Sequence, residues 1–245
     1  MKKAVVLFNL GGPDRLESVE PFLFNLFNDP EILSIPSIIR YPLAKFLSKR
    51  RAPIAKNIYR EIGNKSPILE LTQEQAKSLE NSLSADGEYK CFVAMRCWHP
   101  RASEVIKQVK EFNPVEIILL PLYPQFSAAT SGSSINEWND LCKKENYNVK
   151  TKTICCYPTE NNFIQSHVNL IKKTIKNIEN KKFKLLFSAH GLPEIKIKKG
   201  DPYQWQVEET VKKIMIVLKD ENLDHTISYQ SRVGPLKWIG PSTDD

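Results

Sequence analysis

Short apolar runs alternate with segments whose apolar residues recur at helical spacing, from one end of the chain to the other. The runs Ala4–Phe8, Cys91–Met95, Ile117–Leu120, Thr151–Cys155, Lys184–Phe187 and Thr226–Tyr229 predict six β-strands. Between them, Ala102, Val105, Ile106 and Val109 share one helical face. So do Ile164, Val168, Ile171 and Ile175, and so do Val207, Val211, Ile214 and Leu218. Thr72 with Gln75, Ser134 with Glu137, and Asp201 with Gln204 have capping-box spacing, which predicts helix starts at those places, with Pro202 as a first helical residue. Strands alternating with helices predict an α/β protein, with parallel sheets flanked by helices on both faces. The polar, lysine-rich stretch Cys142–Asn148 suggests a handover between two α/β lobes, residues 1–145 and 146–245.

In such folds ligands gather where strand C-termini empty into loops. Three of these exits carry residues with chemistry. The first strand runs into Asn9-Leu10-Gly11-Gly12-Pro13, whose glycines serve a tight turn or a close backbone approach to a ligand. The third runs into the hydroxyl-rich stretch Leu120–Ser134, which suits an anion at a helix N-terminus or a plain capped connection. The fifth ends in Ser188-Ala189-His190-Gly191-Leu192-Pro193. Imidazole there can take a proton near neutral pH or bind a transition metal, and it can equally be a satisfied core histidine. Near the N-terminus, Phe22–Phe27 and Ile38–Leu47 carry more apolar surface than one buried stripe needs, next to Lys49, Arg50 and Arg51. That pairing fits a flat apolar ligand with carboxylates, an anionic membrane surface, or a buried helix with a solvated basic turn.

Charge narrows little. The net charge of +7 favours an anionic partner, but the basic residues are dispersed and no nucleic-acid recognition motif accompanies them. Five cysteines, two of them adjacent, have neither metal-ligand spacing nor an even count, which predicts reduced thiols. No apolar run is long enough to span a bilayer, and the stretch after Met1-Lys2-Lys3 is too short for a secretion signal. The expected location is therefore the cytoplasm.

Eight segments in order resemble the ferrochelatase family: NLGGP, KRRAP at Lys49–Pro53, YREIG with Ser66-Pro67, MRCWHP at Met95–Pro100, YPQFSAATSGSS, SAHGLP, GDPYQWQV at Gly200–Val207, and SRVGPLKWIGPSTDD. The resemblance implies two similar Rossmann-like lobes with a porphyrin in the cleft between them, the second lobe incomplete. It implies insertion of Fe2+ into protoporphyrin IX, the last step of haem biosynthesis, with His190 as metal ligand or proton acceptor. Arg51, Tyr59 and Ser66 would meet the propionates and the mouth of the cleft. Leu10, Leu23, Leu26, Arg96, Tyr123 and Trp238 would line or shape the pocket. Asp201 lies in a family motif, but its N-cap position is reason enough for it to be there.

The departures from the family carry expectations of their own. Cys97 stands where many relatives have an aromatic residue, and Ala128 where some have a cysteine ligand to an iron–sulfur cluster, so no cluster is expected and no cofactor beyond the substrate iron. Family chains continue past PSTDD into a part that supplies an acidic residue facing the histidine. A chain ending at residue 245 would hold half of that pair, with weak stability and little activity. The expected partners are protoporphyrin IX, ferrous iron and a peripheral membrane surface, with no nucleic acid. The rival readings are a porphyrin- or haem-binding protein without catalysis, and a coproporphyrin ferrochelatase.

Overall fold

A computed structural model describes residues 1–178, 183–219, 223–232 and 236–244. The chain divides into two compact units: residues 1–123 with 128–155, and residues 124–127 with 156–245. The point between residues 145 and 146 falls just past the end of the fifth helix.

The first unit is built on a parallel sheet of β1 (Lys3–Asn9), β2 (Tyr89–Met95), β3 (Glu116–Pro121) and β4 (Lys150–Thr153), in the order β2-β1-β3-β4. Its helices are α1 (Val19–Phe27), α2 (Ser37–Glu61), α3 (Ile68–Leu83), α4 (Ala102–Phe112) and α5 (Ser133–Lys144). Alternation along β1 explains the layering. Ala4, Val6 and Phe8 point to one side, where they pack with Ile117 and Leu119, the apolar face of α4 and Trp138 of α5. Val5 and Leu7 point to the other side, against Ala76, Leu79 and Leu83 of α3. Each fully buried large apolar side chain contributes roughly 1.5–3 kcal/mol, so β1, apolar on both faces, is the natural centre of the sheet.

All six predicted strands form, each within a few residues of its expected bounds. Two predicted helix starts do not. Helix α3 begins at Ile68, so Thr72 lies inside it and its hydroxyl donates to the Ile68 carbonyl. Helix α5 begins at Ser133, and Glu137 is drawn instead to Arg96 and Arg101. The third is nearly right: an Asp201 oxygen accepts from the Tyr203 amide, and Pro202 sits just outside the helix.

The second unit carries α6 (Asn161–Ile175), β5 (Leu185–His190), α7 (Glu194–Lys198), α8 (Tyr203–Leu218) and β6 (His225–Gln230). β5 and β6 pair in parallel, with Leu185 opposite His225 and His190 opposite Gln230. Phe187 packs with Ile164, Val168 and Ile214, while Ala189 and Ile227 pack with Val207, Tyr229 and Ile239, so α6 and α8 cover this face. The alternate residues Leu186, Ser188 and His190 are exposed on the other face. Val233, Gly234 and Pro235 of the last motif, and Asp245, lie outside the described residues.

Candidate active site

In the first unit, the candidate residues converge on the carboxyl ends of adjacent strands. Leu10 follows β1, Arg96 follows β2 and Tyr123 lies two residues past β3. The exits are stitched together by backbone bonds: Arg96 N to Asn9 O and Cys97 N to Leu10 O, each 2.8 Å, and Leu122 N to Phe8 O, 2.8 Å. Above them, Leu23 of α1 is buried with Val19, Phe22, Ala52, Ala55 and Cys97, and Leu10, Leu26 and Tyr59 pack against that cluster.

Ser66 is tied to the same turn, its amide donating to Pro13 O at 2.8 Å. The glycine pair is explained by this packing. A Cβ on Gly12 would lie 2.5 Å from Ser66 Cβ, an impossible contact, and one on Gly11 a tight 3.1 Å from Met95 Cβ and the Trp98 backbone nitrogen. The hydroxyl-rich loop likewise meets an anion of the chain's own. Asp29, 2% exposed, accepts from Ser133 Oγ at 2.6 Å, at the start of α5. Arg96 completes that network: Nη2 lies 3.0 Å from Asp29, Nη1 3.2 Å from Glu137, and Nε donates to Ser133 Oγ at 2.6 Å.

Arg51 lies apart, exposed on α2, and makes no ion pair among the described residues. Around it the helix exposes Ile38, Phe46, Ile54 and Ile58, the first of them 83% exposed. Burial pushes the Tyr59 phenol up and the Tyr123 phenol far up, so both stay protonated donors near neutral pH. The Cys97 thiol is pushed up to about 12 by burial, which keeps it neutral and unreactive.

In the second unit His190 ends β5 with its ring exposed. Its Nδ1 lies 2.8 Å from the Gly191 carbonyl oxygen. A carbonyl only accepts, so Nδ1 carries a proton, and in the neutral ring Nε2 presents the lone pair. Gly191 is needed here for space. Its amide donates to Gln230 O at 2.7 Å, and a Cβ would lie 2.8 Å from that oxygen and 3.2 Å from the Trp238 ring. Trp238 is held beside it by a bridge to Pro193, flanked by Ile239 N to Leu192 O and Glu194 N to Lys237 O. Asp201 is occupied structurally, one oxygen on the Tyr203 amide and the other accepting from Ser127 Oγ at 2.9 Å.

The structure thus groups Leu10, Leu23, Leu26, Tyr59, Ser66, Arg96 and Tyr123 at one end of the first sheet, and His190 with Trp238 in the second unit. Sequence reasoning passed over Asp29 and Gln206. Asp29 reads as an ordinary helix-end acid, and its Arg96 partner is far away in sequence. Gln206, 7% exposed, accepts from Phe126 N at 2.7 Å and donates to Cys156 Sγ at 3.6 Å. Asp29 lies in none of the eight family segments, and Gln206 lies in GDPYQWQV without any local sign of the partners it meets.

The comparisons with known proteins agree with one another. The ferrochelatase family model matches residues 2–245. A ferrochelatase of Pelagibacter ubique (strain HTCC1062) is 69% identical over 248 residues, taking in all of this chain and 72% of that protein. Ferrochelatases of Rickettsia bellii (strain OSU 85-389) and Caulobacter vibrioides (strain NA1000 / CB15N) are 49% and 50% identical, over 67% and 70% of their own lengths. With the parallel-sheet fold and a match along nearly its whole length, the chain belongs to the ferrochelatase family.

Proposed function

We propose that the protein inserts Fe2+ into protoporphyrin IX, with His190 as the group that meets the metal or the pyrrole protons. The observation that carries this reading is the 2.8 Å contact of His190 Nδ1 with the Gly191 carbonyl oxygen. A ring held through Nδ1–H, with a bare Nε2 and an exposed face, suits ligation of a divalent metal or proton abstraction.

The reaction replaces two pyrrole N–H protons by one Fe2+, releasing two protons and the metal's water ligands. His190 Nε2 accepts one proton and solvent the other, or His190 holds the incoming ion while its waters leave and solvent takes both protons. As a general base it supplies on the order of 10²–10⁴-fold. The apolar group of Leu10, Leu23 and Leu26 offers surface for the macrocycle faces, the neutral phenol of Tyr59 offers a donor, and Tyr123, its hydroxyl buried, supports the shape of the pocket. Arg51, in no ion pair among the described residues, is available to a propionate. Binding energy from these contacts offsets part of the distortion that exposes the pyrrole lone pairs.

Ala128 and the absence of a cysteine in that loop favour an enzyme without an iron–sulfur cluster, and stoichiometric acid-labile sulfide in the purified protein would contradict this. No helix among the described residues is long and apolar enough to cross a membrane. The exposed apolar residues of α2, with Lys45, Lys49, Arg50 and Arg51, favour a cytoplasmic protein that touches an anionic membrane surface peripherally. Co-sedimentation with anionic but not neutral vesicles tests that contact.

The functional test is anaerobic addition of Fe2+ to the protein with protoporphyrin, followed by absorption. Conversion of the free-base spectrum to that of the iron complex supports the proposal. Binding without metallation selects a porphyrin or haem carrier instead, and metallation only of coproporphyrin moves the substrate to that tetrapyrrole.

A further inference from the structure

The geometry points to Asp29 as a positioning residue that holds the end of α1, and with it Leu23 and Leu26, over the strand exits; the inference rests on the porphyrin reading above. Two consecutive residues past β2 grip two residues that flank Leu26. Arg96 Nη2 lies 3.0 Å from Asp29 Oδ2, and the Cys97 carbonyl accepts from Asn25 Nδ2 at 3.0 Å. Those same two residues are bonded through their amides to Asn9 and Leu10 at the exit of β1. The position of Leu10 is therefore coupled to that of Leu23 and Leu26 through one short chain of contacts.

Asp29 is the buried centre of this arrangement. Its Oδ2 accepts from both Ser133 Oγ and Arg96, and its Oδ1 accepts from the Glu31 amide at 2.8 Å. Its own amide donates to Leu26 O at 3.2 Å, closing the last turn of α1. Both carboxylate oxygens are engaged within the chain and the side chain is buried, so Asp29 is not placed to touch substrate. The Arg96 guanidinium is likewise divided among Asp29, Glu137 and Ser133. Arg96 thus acts on the apolar surface through α1, and the carboxylates of a porphyrin fall to other residues. A buried, branched ion-pair network of this kind is a means of fixing geometry more than of adding stability.

The test uses the full chain with Asp29→Asn, which keeps the shape but removes the charge, and Asn25→Ala, which removes the second grip. Three quantities are measured: amide hydrogen exchange of α1, the Kd for protoporphyrin from absorption, and KM against kcat for metallation. The expected result is faster exchange confined to α1, with Kd and KM raised on the order of 10-fold and kcat little changed, since His190 lies in the other unit. Unchanged exchange in α1, or a lowered melting temperature with unchanged Kd and KM, overturns the inference. If Asp29→Asn does not fold, Asn25→Ala decides alone by the same criteria. Wild-type protein that binds no porphyrin would instead overturn the functional reading itself.

Discussion

Substituting Gly191 with alanine tests how the end of β5 holds His190. The added Cβ would sit 2.8 Å from Gln230 O and 3.2 Å from Trp238 Cε3. Ordinary contact needs the Gln230 carbonyl to retreat by about half an ångström or more. That carbonyl accepts the Gly191 amide at 2.7 Å and belongs to the residue paired with His190, so it cannot retreat without opening the last rung of the β5–β6 ladder. Overpacking of this kind costs about 1–3 kcal/mol. In a chain of this size each kcal/mol lowers Tm by about 2–4 °C. The same shift moves the Gly191 carbonyl that orients His190 Nδ1, and a displacement approaching 1 Å at a reacting group costs on the order of 10²-fold in rate. The assay is a calorimetric melt beside anaerobic metallation at saturating porphyrin. A variant with Tm within about a degree of wild type and undiminished kcat refutes the reasoning.

Other outcomes follow from the same geometry. Arg51→Ala weakens protoporphyrin binding by about 10-fold or more, the loss of one charge-assisted hydrogen bond, and leaves binding of the propionate dimethyl ester unchanged; equal losses for both porphyrins would contradict its role. Cys155, exposed, reacts with a thiol reagent in the native protein at pH 8, whereas Cys97, 1% exposed and with its thiol raised to about 12, reacts only on unfolding, as peptide mass mapping of the labelled sites will show. Asp14 is held below its ordinary value of 3.8, chiefly by the Ser18 hydroxyl. A depressed folded value means stabilisation that is present above the unfolded pKa and lost as pH falls through the folded one. The urea midpoints of wild type and Asp14→Asn therefore differ near neutral pH and merge below the carboxylate range; a gap that persists in acid contradicts this.

The sheet was legible because β-strands buried on two faces leave uninterrupted apolar runs, as in Ala4–Phe8 and Ile117–Leu120. Helix starts were less so. Hydroxyl-to-glutamate spacing at Ser134 and Glu137 imitates a capping box, yet Glu137 answers to two arginines brought from the end of β2. Helix α2 runs through both Pro42 and Pro53, which local rules would treat as breaks. The glycine after His190 was visible in the sequence, but the need for it was not. Its reason, the neighbouring Gln230 carbonyl and Trp238, lies on a strand and a segment distant in sequence. The same distance hid Asp29, since a buried ion pair announces itself only when both partners are placed.

The most direct test of the account is metallation by His190→Ala, with and without added imidazole. The account predicts that protoporphyrin still binds with near wild-type Kd, that insertion of Fe2+ falls by at least on the order of 10²-fold, and that imidazole restores part of the rate. Undiminished insertion by the variant, or loss of porphyrin binding in its place, would contradict the claim that the free Nε2 of His190 serves the centre of the macrocycle.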